Sequence, residues 1–133
     1  PRLQRGEIVI TDRFSMSTYA YQFLQGVDYN EIHRMHTERG IIKPNLTFFV
    51  DIGFETAWER VADRKERLEK FERNPGFIRD LIYMYRGLWW ESKKDGTGEL
   101  GRIIRIDGEQ PRERVFSDVV RQFWPVYEEY KKK

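Results

Sequence analysis

The chain has 133 residues, of which 39% are hydrophobic and 15% aromatic, and this composition can fill the core of one compact domain. Lys and Arg number 24 against 22 Asp and Glu, so the net charge of +2 gives no global field that would attract nucleic acid or a membrane. The absence of Cys excludes disulfides and thiol chemistry and fits the cytoplasm, and no apolar run is long enough to predict a membrane span.

The first elements are a short strand and two helices. Residues 7–12 form an apolar run that ends in Asp12, which is typical of a strand buried in a parallel sheet. Apolar residues then recur at helical spacing from Ser15 to about Gln25, with Ser15 or Ser17 as the cap. A second helix is predicted over residues 30–39, because Asn30 is a good N-cap and Gly40 a good stop.

The remaining elements alternate between strands and helices. The run over residues 46–52 is rich in β-branched and aromatic residues and predicts the best strand of the chain. A charged helix follows from Glu55, Asn74-Pro75 opens a core helix, and Pro111 begins the last helix after a strand over residues 102–107. This alternation predicts an α/β fold with a mostly parallel sheet, in which ligands bind beyond the carboxyl ends of the strands.

The segment from Asp12 to Gln22 carries the clearest chemical signal, and it reads Asp-Arg-Phe-Ser-Met-Ser-Thr-Tyr-Ala-Tyr-Gln. An Asp at a strand end can hold Mg²⁺ through water, and an adjacent Arg offers a two-pronged donor to phosphate oxygens. Together Asp12 and Arg13 suit phosphoryl transfer. The plainer alternative is a solvated ion pair at a strand terminus.

Taken with later segments, this stretch resembles the thymidylate kinase family. Gly40 followed by Lys-Pro-Asn-Leu-Thr at residues 43–47 is similar to the family's Lys-Pro-Asp-Leu-Thr, with Asn45 in place of Asp. Glu-Arg-Leu-Glu at residues 66–69 resembles the end of the family's lid, and residues 104–107 resemble its last strand. The segments occur in the family's order along the whole chain, which is more specific than any one of them.

The resemblance implies roles for the residues of the first segment. Arg13 would bind the transferring phosphates, while Ser17, Thr18, Tyr21 and Gln22 would face the nucleoside. The Tyr21 ring would fill the space near the 2′ carbon and reject a ribose hydroxyl. Ordinary core packing is the alternative for Tyr21 and, more strongly, for Tyr19.

By the same resemblance, a basic lid would cover the transferring group. Its members would be Arg60, Arg64, Lys65 and Arg67, and the catalytic arginines would be Arg64 and Arg67 together with Arg13. Such charge stabilises the phosphoryl group while the lid excludes water. Asp12 would hold Mg²⁺ through water. The alternative for the lid is a solvated helix face that carries Glu residues at helical spacing.

One expected motif is absent from the 133 residues. Phosphate-binding loops read Gly-x-x-x-x-Gly-Lys-Ser/Thr, and nothing here matches. In the family this loop and the first, central strand precede the part that corresponds to this chain. We therefore expect residues 1–133 to be one partial domain, the monophosphate-binding and lid portion of a three-layer P-loop kinase, inactive alone. Direct pairing of residues 8–11 with residues 46–52 would contradict this expectation, because the missing strand belongs between them.

The function implied by the resemblance is phosphorylation of dTMP to dTDP in dTTP synthesis, with ATP as donor and Mg²⁺ as cofactor. The family resemblance also implies a cytoplasmic homodimer that binds neither nucleic acid nor membrane. A deoxynucleoside kinase is a close alternative. A non-catalytic kinase-like subunit that binds nucleotide is another, and a structural or nucleic-acid-binding module is the third.

Overall fold

The computed structural model describes residues 1–63, 74–95 and 100–133. From α1 onward, the elements of these ranges follow the order that the sequence predicts. In chain order, after a short 3-10 helix at Leu3–Arg5, they are α1 (Ser15–Leu24), α2 (Tyr29–Glu38), β1 (Leu46–Asp51), α3 (Phe54–Asp63), α4 (Pro75–Asp95), β2 (Arg102–Asp107) and α5 (Arg112–Lys131).

The sheet of the described residues consists of β1 and β2, and it is parallel. Leu46 pairs with Arg102 and Asp51 with Asp107, so both strands end at the same edge. Gly101 precedes β2 in a left-handed conformation with φ 72°, and a Cβ atom there would lie 2.1 Å from the carbonyl oxygen of Pro44. Only glycine allows this approach, which brings the beginnings of the two strands together. The predicted α/β class is confirmed.

The prediction of a strand over residues 7–12 is wrong for this structure. Residues 7–11 have no regular secondary structure, and neither β1 nor β2 pairs with them. Ile8 and Val9 are about half exposed, and Ile10 is 89% exposed. Because a strand is defined by pairing to an edge, a favourable composition alone does not produce one.

The helix boundaries follow local capping chemistry. Helix α4 begins as predicted, because the Asn74 side chain accepts hydrogen bonds from the Gly76 and Phe77 amides at 2.9 and 3.3 Å. The predicted cap of α2 is wrong by two residues: Asp28 is the N-cap, and its carboxylate accepts the Asn30 amide at 2.8 Å. Helix α1 has no side-chain cap, so neither predicted serine serves that role.

The core lies between α1, α2, α4 and one face of the sheet. Tyr19 and Ile32 are almost completely buried, at 1% and 2% exposure, which confirms core packing for Tyr19. Tyr85 and Trp89 of α4 pack against this cluster while remaining partly exposed. The buried members are Met16, Tyr19, Ile32, Phe49, Leu100 and Ile103.

Helix α5 contacts β2, and Pro125 lies inside it. Among the described helices, none is both long and apolar enough to cross a membrane.

Candidate functional site

The site is centred on the sharp bend between residues 7–11 and α1. Arg13 has φ 59°, and it is the one non-glycine residue with a positive φ in the described ranges. The left-handed conformation costs a residue with a Cβ atom about 1–2 kcal/mol. Such conformations cluster at functional sites, where the surroundings hold them. The bend therefore marks Arg13 independently of its motif.

The Arg13 side chain is held over an aromatic ring. Its guanidinium carbon lies 4.8 Å from the centre of the Tyr21 ring, and Tyr21 in turn contacts Phe77 of α4, with ring centres 5.7 Å apart. Burial lowers the pKa of Arg13, but interactions with the Tyr21 and Tyr85 hydroxyls raise it by more, so the pKa lies above its usual value. The guanidinium remains charged, as recognition of a phosphate requires.

Ser17 faces α4. Its hydroxyl forms a 2.6 Å hydrogen bond with the Tyr85 hydroxyl, in which either group can donate. The Tyr85 ring lies nearly parallel to the Phe49 ring of β1, with ring centres 5.9 Å apart and an angle of 16°. Tyr85 thus joins the first turn of α1 to the sheet through α4.

Thr18 and Gln22 lie on the solvent side of α1. Both are exposed, and the Thr18 hydroxyl donates to the carbonyl oxygen of Phe14 at 3.4 Å. Of the four residues expected to face the nucleoside, Ser17 and Tyr21 therefore point toward α4 while Thr18 and Gln22 do not. The structure brings Arg13, Ser17 and Tyr21 together with Tyr85.

Asp12 is exposed and adjacent to Arg13. Within the described ranges, no three His, Asp or Glu side chains form a group that could hold a metal ion alone. Mg²⁺ in nucleotide sites takes one or two carboxylates and keeps several waters, so a single accessible carboxylate is compatible with water-mediated binding.

Helix α3 is joined to the turn after β2. Arg60, predicted in the lid, donates from Nη2 to the Gly108 carbonyl oxygen at 3.0 Å. Glu109 accepts the Gly53 amide at 2.6 Å and the Thr56 hydroxyl at 2.5 Å, and so satisfies donors at the beginning of α3 from a distant turn. The hydrogen bonds from Thr56 and Gly53 lower the pKa of Glu109 below its usual value. The predicted lid residues Arg64, Lys65 and Arg67 lie outside the described residues.

A buried carboxylate lies where β1 ends. Asp51 is 5% exposed, and it accepts Nε of Arg86 at 2.9 Å and Nε of Arg105 at 2.8 Å. Arg86 also donates to the Ile52 carbonyl oxygen at 3.3 Å. A buried acid needs such partners, and removal of one would leave an uncompensated charge. This group anchors α4 to the strand ends.

Sequence reasoning missed three of these contributors, for different reasons. Tyr85 has the helical spacing of a core residue, and its hydroxyl partner in α1 has no local signal. Glu109 lies in a turn, far along the chain from the helix that it caps. Arg105 did carry a signal, because it is a charged residue inside an apolar strand; it is exposed, and the buried carboxylate that needs a partner is that of Asp51.

Comparisons with known proteins agree with the motif order. The family model described as "Thymidylate kinase" matches residues 1–119. The chain is similar to a thymidylate kinase of Sulfurihydrogenibium sp., with 34% identity over 110 residues that cover 81% of this chain and 50% of that protein. It is also similar to the thymidylate kinase of Alkalilimnicola ehrlichii, with 32% identity over 120 residues that cover 88% and 52%. The chain spans about half the length of these relatives.

Proposed function

Because the chain belongs to the thymidylate kinase family, we propose that it provides the monophosphate-binding part of an enzyme that transfers a phosphoryl group from ATP to dTMP. The product would be dTDP, on the route to dTTP. In this proposal residues 1–133 are a partial domain of a three-layer P-loop kinase. The donor loop comes from protein outside these residues, since none of them matches Gly-x-x-x-x-Gly-Lys-Ser/Thr.

The observation that carries the proposal is the geometry of Arg13. Its guanidinium lies over the Tyr21 ring at 4.8 Å, and its backbone occupies a strained conformation at the beginning of α1. A planar, charged fork held in this way binds phosphate oxygens by two parallel hydrogen bonds. Because the Arg13 side chain is already ordered before dTMP binds, less binding free energy is lost in ordering it.

Other residues support orientation of the substrate. The Tyr21 ring is fixed between the Arg13 side chain and Phe77, which supports a role near the deoxyribose. Thr18 and Gln22 are accessible from solvent and are proposed to contact the nucleoside from the open side of α1. Phosphoryl transfer needs little covalent chemistry from the protein, and positioning together with positive charge supplies most of the acceleration.

Asp12 would hold Mg²⁺ through water, and the ion supplies charge neutralisation for the phosphates when it is bound. Arg64 and Arg67 are proposed as the catalytic arginines of the lid, with Lys65 beside them. Arg60 lies in α3, the helix that precedes the other lid residues, and its side chain donates to the Gly108 carbonyl oxygen. Its proposed role in the lid is therefore only to anchor that helix. A cytoplasmic homodimer belongs to the proposal on the family resemblance.

The first experiment is the mass of the native protein under denaturing conditions. A mass well above 16.2 kDa would reveal additional chain that can carry the donor loop, and dTMP-dependent release of ADP would then be measured. If the mass is 16.2 kDa and no partner co-purifies, the same assay tests whether these residues act alone, and absence of turnover would contradict an independent kinase.

The residue-level experiment is substitution Arg13→Lys in the same protein. Lysine keeps the charge but loses the two-pronged donor, so we expect kcat/KM for dTMP to fall roughly 10²-fold. Arg34→Lys is the matched control, because Arg34 is an exposed arginine of α2 that pairs with Glu38 at 3.0 Å. Equal activity of the two variants would contradict the proposed role of Arg13.

Two other functions have distinct outcomes in these assays. Phosphorylation of thymidine but not dTMP would identify a deoxynucleoside kinase. Calorimetric binding of dTMP without turnover, even when a P-loop segment is supplied, would identify a non-catalytic nucleotide-binding subunit.

A further inference from the structure

A small polar cavity lies between α1, α2 and the chain that leads into β1. Its volume is about 180 Å³, and its polar lining comes from Ser15, His33, His36, Thr37 and Lys43. Pockets that hold drug-sized molecules usually measure about 300–1,000 Å³, so this cavity is large enough for a small ion but not for a nucleotide. The described residues that line it include none of those that carry the proposed function.

Ser15 is a buried polar residue whose hydroxyl has no partner in the described part of the chain. The residue is 4% exposed, and its side chain makes no hydrogen bond to any described residue. No fully enclosed side-chain oxygen among the described residues lacks a partner, so the Ser15 hydroxyl opens onto the cavity that the residue lines. Because buried hydroxyl groups are nearly always hydrogen-bonded, this one indicates a partner inside the cavity.

Ser15 is also the first residue of α1, a helix of ten residues. Phe14 is the N-cap and provides no side-chain hydrogen bond, so the first amides of the helix keep their partial positive charge. Lys43 adds a full positive charge to the lining, and none of the described lining residues is acidic. The cavity therefore favours an anion.

His36 restricts the kind of anion further. Its Nδ1 atom lies 2.9 Å from the Ile32 carbonyl oxygen, which can only accept, so Nδ1 carries the proton of the neutral imidazole. The ring also packs against the Tyr19 ring, with ring centres 4.9 Å apart. Nε2 is then left as a hydrogen-bond acceptor in the lining. An acceptor in a positively charged cavity favours an anion that itself carries a proton, and near neutral pH hydrogen phosphate carries one whereas sulfate does not.

We propose that this cavity binds hydrogen phosphate: the Ser15 hydroxyl and the Lys43 ammonium group donate to its oxygens, and its own O–H donates to Nε2 of His36. The site goes beyond the proposed function and does not depend on it, because the phosphates of the nucleotide are assigned to Arg13. Loss of either donor weakens phosphate binding in the cavity and leaves the contact of Arg13 with Tyr21 in place.

The experiment follows the imidazole signals of His36 by NMR while inorganic phosphate is added to the purified full-length protein. We expect a saturable shift with phosphate and none with sulfate at the same ionic strength. Hydrogen bonds to charged groups are strong enough that Ser15→Ala should weaken the phosphate affinity roughly 10-fold, and Lys43→Gln should weaken it by a similar factor. Ser117→Ala removes an exposed serine of α5 and is the matched control, which should leave the affinity unchanged. An equal response to sulfate, or equal affinity in the wild type and Ser15→Ala, would overturn the proposal.

Two further titrations separate this cavity from the candidate functional site. Arg13→Lys should keep the response of His36 to phosphate, because Arg13 does not line the cavity. The substrate dTMP should not reproduce that response, because the cavity is too small for a nucleotide. If Arg13→Lys abolishes the response, or if dTMP gives the same saturable shift, the phosphate binds at the nucleotide site and the proposal is wrong. None of these readouts needs turnover, so failure of the proposed function would leave the result for the cavity intact.

Discussion

Two apolar segments of similar composition differ in this protein, because one forms a strand and the other does not. Residues 46–51 form β1, pair with β2 along their length, and bury Phe49 to 8% exposure. Residues 7–11 have an isoleucine-rich composition that also favours a strand, yet they form none, and Ile10 is 89% exposed.

The difference shows that an available partner, not residue type, decides which segment becomes a strand. Strand residues are stabilised by neighbours across the ladder and on the same face, and an isolated extended segment has neither. The segment before Arg13 is joined on its amino side to Arg2 and Arg5 through Glu7, and on its carboxyl side it leads to the contact of Arg13 with Tyr21. The site thus combines a packed part, α1 and α4 with the paired sheet, and an exposed segment before Arg13.

The largest expected difference between the two regions comes from matched isoleucines. Ile106 of β2 is 3% exposed and Ile10 is 89% exposed. In residues 1–133 alone, Ile106→Ala should lower the free energy of unfolding by about 2–5 kcal/mol through lost burial and a cavity, while Ile10→Ala should change it by less than about 0.5 kcal/mol. Urea unfolding measures both. Comparable losses would mean that the segment before Arg13 is packed as well as the sheet.

A smaller difference is expected between two glycines with positive φ. In Gly101→Ala, the added Cβ would meet the Pro44 carbonyl oxygen, whereas in Gly6→Ala it would meet nothing within 4 Å. Both substitutions carry the left-handed strain of about 1–2 kcal/mol, and Gly101→Ala adds about 1–3 kcal/mol from overpacking. Thermal unfolding of the two variants isolates that added contribution. Equal losses would show that the strand beginnings are free to separate.

The smallest effect concerns the carboxylate that joins the turns after β1 and β2. The pKa of Glu109 is lower in the folded protein than in the unfolded chain, so its contribution to stability is present above the unfolded pKa of about 4.3 and is lost as the pH falls through the folded value. Glu109→Gln should therefore lower the melting temperature near neutral pH, and this effect should become smaller as the pH falls below about 4.3. Glu113→Gln, in the first turn of α5, is the control. If Glu109→Gln lowers the melting temperature by the same amount at low pH, the loss comes from altered hydrogen-bond geometry and not from the charge of the carboxylate.

Much of the fold could be predicted from the sequence, because the signals that specify it are local. The Asn74-Pro75 start of α4, the alternation of helices and strands, and the strand at residues 46–51 all follow from neighbouring residues. The strand predicted at residues 7–12 does not form, because no described strand pairs with it, and the resemblance places its expected neighbour outside these 133 residues. The cap of α2 was misplaced by two residues because Asp28 and Asn30 are both good capping residues.

Only part of the candidate site could be predicted from the sequence. The motif identified Arg13, Ser17 and Tyr21, and the structure brings them together. The hydrogen bond that joins Ser17 to Tyr85 was not predictable, because a bond between helices far apart in the chain leaves no spacing pattern in either. The Asp51 group was equally hidden, since its two arginines come from α4 and β2.

The parallel pairing of β1 with β2 has a consequence for the order of folding. Partners in this ladder are 56 positions apart, the same separation that joins Gly53 to Glu109. Closing so long a loop is entropically unfavourable, and such pairings form after local helices in typical folding pathways. The Ser17–Tyr85 bond spans still more of the chain, 68 positions. The contact between α1 and α4 beside Arg13, the residue proposed to bind phosphate, therefore forms late, so a newly made chain would acquire its helices well before it acquires this candidate site.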